Sequence, residues 1–497
     1  MPARPPRVKL KSELGFPVTL PEGEEYLELS GRGGGILVTW PGPLPDLCLR
    51  HLAGAGRVFL LHAPELDAQM PASWHAAVPD SWEVVSPEKA SGLMAGVRVL
   101  HYTPASRIFP SLFAPLLARR QPFPAREPLP EIWLPSAPSA LVVPELLRAA
   151  RQLGFCPRIL PPEMSSGRMR ELLRDGPPRL FLSVNFHGLD AYGEIQALLE
   201  AAGAPLAVWC VDNPFHLLTR QKNRLWQRAE LFVTDSWFME PLAALGARAH
   251  HLPLATDPEF FAARGPCPEG DGICFVGRTG FPQRDRFFAV CSVPESLLRE
   301  AEALPGRLAH FGWWRDRWAD RPLWPGNSVR SIGFGAERSS VGWRERCLRH
   351  LAAQVDLTIV GDAAWKDRVP SARLKKPVDY YAGLADEYRR APFSLNLTSL
   401  LLPHGLTQRH FDVWACGGFL LTDATPGLTL FPPELVREVS FEEPEQAVSL
   451  LRRFAGNPRL KEDVRTAWRE HILAGHTYVR RLERILEVTA KAAAMPR

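Results

Sequence analysis

The sequence predicts an α/β protein with two parallel-sheet domains preceded by a smaller α/β unit. Three observations carry that prediction. The chain has 497 residues, more than one hydrophobic core organises, so two or three domains are expected. From residue 140 onward, short apolar runs alternate with stretches of helical period, the pattern of right-handed βαβ units. Polar residues and glycines collect just after the apolar runs, where open parallel sheets place their ligands.

The elements follow in chain order. Residues 1–120 read as an accessory unit with strands at 36–40, 58–62 and 97–102 and a helix near 45–53. The run Gly31, Arg32, Gly33, Gly34, Gly35 precedes a strand, whereas phosphate loops lie between a strand and a helix, so it reads as a turn. Residues 121–139 (QPFPAREPLPEIWLPSAPS) read as a proline-rich linker. The first parallel domain spans 140–265, opening with a helix at 140–153 that Gly154 ends. Its strands are expected at 158–160, 180–184, 206–211 and 231–234, with 250–254 closing the half, and its helices at 191–202, 217–227 and 238–245. Residues 255–268 form the interdomain connection. The second domain spans 270–475, with strands at 272–276, 357–360, 393–397 and 418–421, another at 439–441, and helices at 341–353, 378–390, 444–454 and 460–474. Segment 476–497 is a terminal helix. The excursion 304–343 contains Trp313, Trp314, Trp318, Trp324 and Trp343; it reads as a satellite core in preference to a sugar-stacking lid.

Composition narrows the function. Hydrophobic residues are 46% and charged residues 23%, ordinary for a soluble protein. No apolar run is long enough to span a bilayer, and residues 1–20 lack the apolar core of a secretory leader, so a cytoplasmic location is expected. The net charge of +5 is spread over scattered arginines without a basic run, so no nucleic-acid partner is expected, while anionic donors or peripheral contact with a membrane surface both suit it. The eight cysteines show no zinc-type spacing and read as reduced and structural. No repeat of fixed period is present.

The densest signal lies at 395–423: an apolar strand, a loop ending at Pro403, a helix opened by Gly405, Leu406 and Thr407, a stop at Gly417 and Gly418, and a second strand. A helix N-terminus with Thr407, Gln408 and Arg409 in its first turn favours a phosphate. Arg409, Asp412 and Cys416 share one face, and an arginine with a carboxylate suits a ligand bearing phosphate and ribose hydroxyls. Behind the other strands stand Asn185, Phe186, His187 and Gly188; Asp212 and Asn213; Asp235 and Ser236; Gly277, Arg278, Thr279 and Gly280; Gly361 and Asp362; and Asn396.

Arg409 and Asp412, followed by Ala415, Cys416, Gly417 and Gly418 and then Leu420, Leu421, Thr422 and Asp423, resemble the sugar-donor half of GT-B glycosyltransferases, most closely the CgeB-like, spore-maturation type. VWCVDNP at 208–214, FVTDSWF at 232–238, FVGRTG at 275–280, IVGD at 359–362 and YYAGLADEYRRAPFSLNLTS at 380–399 are similar to segments of the same family. The resemblance implies two Rossmann-like domains facing a cleft, with the terminal helix crossing back to the first. It implies transfer of a sugar from a nucleotide-diphosphate-sugar to a hydroxyl-bearing glycan, lipid or protein acceptor, without a cofactor. No Asp-x-Asp triplet occurs, so no essential metal is expected. Several relatives carry two acidic residues eight apart; here the second is Asp412, but the first is His404.

On this resemblance the donor is held by Gly277, Arg278, Gly280, Arg284, Gly361, Trp365, Asn396, His404, Gly405, Leu406, Thr407, Arg409 and Asp412. Gly277 and Gly280 either let the backbone approach a diphosphate or make a tight turn, and Trp365 either stacks on the base or fills the core. His187 and then Asp212 are the candidates for a general base, each with the alternative of ordering its own loop. Two other readings are a nucleotide-sugar epimerase of the same fold and a non-catalytic sugar-nucleotide-binding or assembly protein. The accessory unit speaks against the first, and the pairing of Arg409 with Asp412 against the second.

Overall fold

A computed structural model describes residues 7–494, so the parts of the leader reading that fall on 1–6, and of the terminal segment that fall on 495–497, lie outside the described residues. The N-terminal arm forms a hairpin of β1 (Lys9–Lys11) and β2 (Pro17–Thr19). Next, β3 (Leu27–Ser30), β4 (Gly35–Trp40), β5 (Arg57–Leu61), β6 (Glu83–Val85) and β7 (Arg98–Tyr102) build a five-stranded sheet ordered β3-β7-β4-β5-β6. Only β3 runs antiparallel. The glycine run is the turn from β3 to β4. Gly33 has φ 137°, and a Cβ there would stand 2.3 Å from the Gly96 carbonyl oxygen.

The first Rossmann-like domain contains β8 (Leu129–Pro135), β9 (Cys156–Leu160), β10 (Pro178–Val184), β11 (Leu206–Cys210), β12 (Glu230–Val233) and β13 (Arg248–His251), all parallel, in the order β13-β12-β11-β10-β8-β9. β8 corrects the linker expectation for 121–139. Ile132, Trp133 and Leu134 are completely or almost completely buried on a strand held between β10 and β9. Pro130 is accommodated by a register shift against β10, and Pro135 closes the strand, so the prolines sit where a strand tolerates them.

The second domain contains β14 (Ile273–Val276), β15 (Leu357–Val360), β16 (Arg373–Lys375), β17 (Phe393–Asn396), β18 (Leu420–Asp423) and β19 (Ser440–Phe441), again all parallel, ordered β16-β15-β14-β17-β18-β19. The strand order reverses at β14, which lies between β15 and β17. The crevice outside their carboxyl ends is therefore where a ligand belongs.

Helix Val329–Ala352 starts twelve residues before the expected 341. Gly333 and Gly335 look like helix breakers in the sequence, but both serve close packing. A Cβ would come 2.1 Å from His216 Nε2 at Gly333 and 2.4 Å from the Trp314 ring at Gly335. The tryptophan-rich excursion is a satellite core, as read, and it welds the two domains. Phe311, Trp314, Trp324 and Ile332 share a core with Phe215, Leu218 and Trp226 of the first domain, and Trp226 meets Trp324 edge-on at 5.2 Å. Terminal helix Tyr478–Ala494 crosses back onto helix Val143–Gln152, where the Arg481 guanidinium donates to the carbonyls of Pro253 (2.8 Å) and Leu254. Among the described residues no helix is long and apolar enough to cross a membrane.

Candidate active site

The carboxyl ends of β14 and β15 are drawn together by short side chains. The Asp362 carboxylate accepts from Thr279 N (2.7 Å) and Thr279 Oγ1 (2.9 Å), which fixes the turn carrying Arg278 and Gly280. A Cβ on Gly361 would lie 2.3 Å from the Gly277 carbonyl oxygen, so the glycine is required by the approach of the two strand ends. Trp365 donates from Nε1 to that same carbonyl at 2.9 Å, meets Phe275 edge-on at 5.8 Å and is 1% exposed. Of its two readings the core one holds, because a ring so enclosed offers no face to a base. Arg284 lies between Asp285 (3.1 Å) and Glu337 (3.5 Å), and its chain fills the space beside Gly280.

The signature helix runs Arg409–Ala415 and starts later than the expected Gly405, Leu406 and Thr407. The reason is local. Thr407 N donates to His410 Nδ1 (3.0 Å) and Thr407 Oγ1 to Asn396 Oδ1 (2.9 Å), which commits this residue to a turn. Leu406 is buried, and Gly405 is packed against Leu402. Arg409 donates to Asn396 Oδ1 (2.8 Å) and lies over the Phe275 ring, so it reaches the strand ends of the crevice.

Asp412 does not share that outlook, which corrects its expected contact with ribose. It is 1% exposed, and its Oδ2 accepts from Tyr380 OH at 2.7 Å with Thr256 beside it. Desolvation there pushes its carboxyl well above the usual range. This is a buried polar cluster between the domains, in which Tyr381 OH also donates to Glu145 Oε2 (2.8 Å). Burial pushes Glu145 up to about 7, against the opposing Tyr381 hydrogen bond. Its folded pKa is raised, so its stabilising contribution is complete below about pH 4.3 and is lost as pH rises through about 7. Glu145→Gln should therefore flatten the stability profile between about pH 5 and 7 and stabilise the fold at pH 8 by up to about 3 kcal/mol. Urea melts across that range test this; a variant retaining the wild-type slope would contradict it.

Arg344, on helix Val329–Ala352, was not foreseen. Its guanidinium is set by donation to the Arg278 carbonyl (2.9 Å) and the Ser340 carbonyl (3.2 Å). Within Coulombic range Glu337 attracts it and Arg409 repels it. Neither arginine has a salt-bridged carboxylate among the described residues, and both are half-buried. The sequence did contain a signal: Glu337, Ser340 and Arg344 recur at helical spacing beside the buried Trp343 and Cys347.

Across the crevice, loop 398–404 is pinned to the first domain. His404 N donates to Asp235 Oδ2 (3.0 Å), the His404 ring lies 3.2 Å from Ser236 Oγ, and Asn213 Nδ2 donates to the Leu401 carbonyl (3.3 Å). Burial raises Asp235 to about 6, against these amide bonds. The carboxyl end of β10 is followed by two non-glycine residues at left-handed φ, Asn185 (54°) and Phe186 (64°). Such strain persists only where surrounding structure enforces it, commonly at ligand sites. It places His187 beside Asp212, whose Oδ2 accepts from Asn185 Nδ2 at 2.7 Å. Asp212 is solvent-accessible yet walled by protein, and that desolvation raises its carboxyl. His187 is held below the ordinary imidazole range by desolvation and by Arg220, with Asp212 opposing. Among the described residues no cluster of His, Cys, Asp or Glu is arranged to hold a metal.

Residues 338–487 match the protein family described as "Glycosyl transferase-like". The matched segment holds Arg344, Asn396, His404 and Arg409. No curated protein matches the sequence. Similar solved structures include a glycosyltransferase from Rickettsia africae ESF-5, 8% identical over 75% of this chain and 100% of that one, with TM-score 0.45. Anabaena HepE in complex with UDP-glucose is 9% identical over 73% and 99%, with TM-score 0.43. T4 phage BGT in complex with UDP and Mn2+ is 9% identical over 73% and 100%, with TM-score 0.39.

Proposed function

We propose that the chain is a glycosyltransferase that binds a nucleotide-diphosphate-sugar at the strand ends of the second domain and transfers the sugar to a hydroxyl acceptor presented by the first. The carrying observation is that Arg344 and Arg409, neither in a salt bridge among the described residues, are tied to the carboxyl ends of β14 and β17 through the Arg278 carbonyl and Asn396 Oδ1. Desolvated like charges are costly unless an anion joins them, and guanidinium forks match phosphate oxygens. The CgeB-like type, hexosyl transfer, a cytoplasmic location and independence of metal belong to the same proposal. For the last, the support is that Arg344 and Arg409 could themselves neutralise a leaving diphosphate.

In the proposed step the acceptor oxygen bonds to the anomeric carbon while its proton passes to His187. The bond from that carbon to the diphosphate oxygen breaks, and the electron pair leaves on the diphosphate. Desolvation keeps His187 neutral and so able to accept the proton at pH 7. A single displacement of this kind inverts the anomeric centre. The test is a thermal-shift screen of nucleoside diphosphates and their sugars, followed by assays for sugar release and for epimer formation. A nucleotide-selective shift with sugar release is expected; epimer without release would instead favour the isomerase reading. His187→Ala should lower kcat by about 10²–10⁴-fold with the nucleotide-induced shift intact. An unaltered kcat would remove His187 from the chemistry.

A further inference from the structure

A cavity of about 600 Å³ lies outside the carboxyl ends of β5 and β6 in the N-terminal unit, far in sequence from the crevice described above. A neighbouring groove under the β1–β2 arm shares Glu13, Glu65, Phe109 and Arg224 with it. Parallel sheets place ligands at this edge, and the volume suits one or two sugar rings. The far wall comes from the first Rossmann-like domain. Arg224 N donates to Glu13 Oε1 (3.0 Å) and Ser111 Oγ (2.7 Å), and its guanidinium donates to the Glu13 carbonyl. That clasp fixes the two units around the space.

The lining selects a chemistry. His62, Glu65 and Arg224 are exposed into it, with Gln69 close by and Leu112 and Pro87 on the apolar side. The carboxylates of Glu13 and Glu65 share the lining with Arg224 and His62, so a polyanion meets Glu13 and Glu65, and an apolar ligand leaves polar groups unpaired. Vicinal hydroxyls, each able to donate to a carboxylate and accept from a guanidinium or imidazole, satisfy both. The N-terminal unit also touches the loop after β10 that carries His187: Arg107 lies 5.7 Å from the ring of Tyr192.

We infer that this cavity is a carbohydrate subsite that holds a neutral glycan portion of the acceptor, an inference that rests on the transferase reading for the word acceptor but not for the binding itself. The test uses the full chain with cellotetraose, chitotetraose and maltotetraose, followed by saturation-transfer NMR and calorimetry, alongside His62→Ala and Glu65→Ala. Both side chains are exposed, so circular dichroism and melting should match wild type. At least one oligosaccharide should bind saturably and about tenfold more weakly in the variants, with the nucleotide-induced thermal shift unchanged. No saturable binding by any of the three, or binding insensitive to both variants, or binding lost instead in His187→Ala, overturns the inference. Saturable, Glu65-dependent glycan binding in a protein that responds to no nucleotide would retain the subsite and overturn the transferase reading.

Discussion

Arg344→Ala should weaken binding of a nucleoside diphosphate by about 10²–10³-fold while leaving the ligand-free protein as stable as before. Charge-assisted hydrogen bonds to phosphate in a desolvated site are worth about 1.5–3 kcal/mol each, and a guanidinium makes two. Against this, Arg344 in the free protein is repelled by Arg409 and attracted by the buried Glu337, with neither arginine in a salt bridge among the described residues. Deleting Arg344 relieves that repulsion but gives up its attraction to Glu337 and its bonds to the carbonyls of Arg278 and Ser340. The two effects oppose, so unfolding free energy should move by less than about 1 kcal/mol. Arg409→Ala should behave alike, with a further loosening of Asn396, which accepts from Arg409 and Thr407. Calorimetric titration with UDP, GDP, ADP and CDP, beside urea melts of ligand-free protein, separates the two quantities. Unchanged affinity in both variants would mean that the two arginines serve something other than a diphosphate. A fall in stability matching the fall in affinity would mean that they are structural.

The sheets were legible because parallel strands buried on both faces are written as short continuous apolar runs. LFLSV, LAVWC, ELFV and ICFV fall on β10, β11, β12 and β14. β8 escaped because its three core residues stand among prolines, and the start of helix Val329–Ala352 escaped because its glycines serve contacts with His216 and Trp314 from distant elements. The strand-end rule expected Asn185, His187, Asp212, Arg278 and Asn396 at the carboxyl ends of strands, and they stand at or just beyond the ends of β10, β11, β14 and β17. It could not find Arg344, which reaches the crevice from the middle of a helix. Nor could it tell that Asp412, one turn from Arg409, points into the polar cluster with Tyr380. Three- and four-residue spacing puts two residues on one face, but that face of a short helix borders both the crevice and the interdomain core.

Asp423→Ala should cost about 3–5 kcal/mol of stability, among the largest single losses available in the second domain. The Asp423 carboxylate ends β18 with no exposure and collects four hydrogen bonds: two from Thr398 N (2.9 and 3.1 Å), one from Arg307 (2.6 Å) and one from Trp343 Nε1 (3.1 Å). Removing it leaves the Arg307 side chain, 9% exposed, as a charge answered only by the carbonyls of Thr398 and Leu402. Most of the cost is that stranded cation rather than the worth of the pair. Arg307→Met in the same chain should therefore recover much of the loss, giving a coupling of more than about 2 kcal/mol in a double-mutant cycle. Asp423→Asn should fall between, since its amide keeps one acceptor but turns an N–H toward Arg307 and Trp343. The functional consequence follows from position. Thr398 opens the loop that carries His404 to Asp235 across the crevice, so freeing it lets the two sides of the site part. Nucleotide affinity should drop in Asp423→Asn under conditions where the protein is still fully folded, and a variant with wild-type stability and wild-type affinity would show that the loop is held by its cross-domain contacts alone.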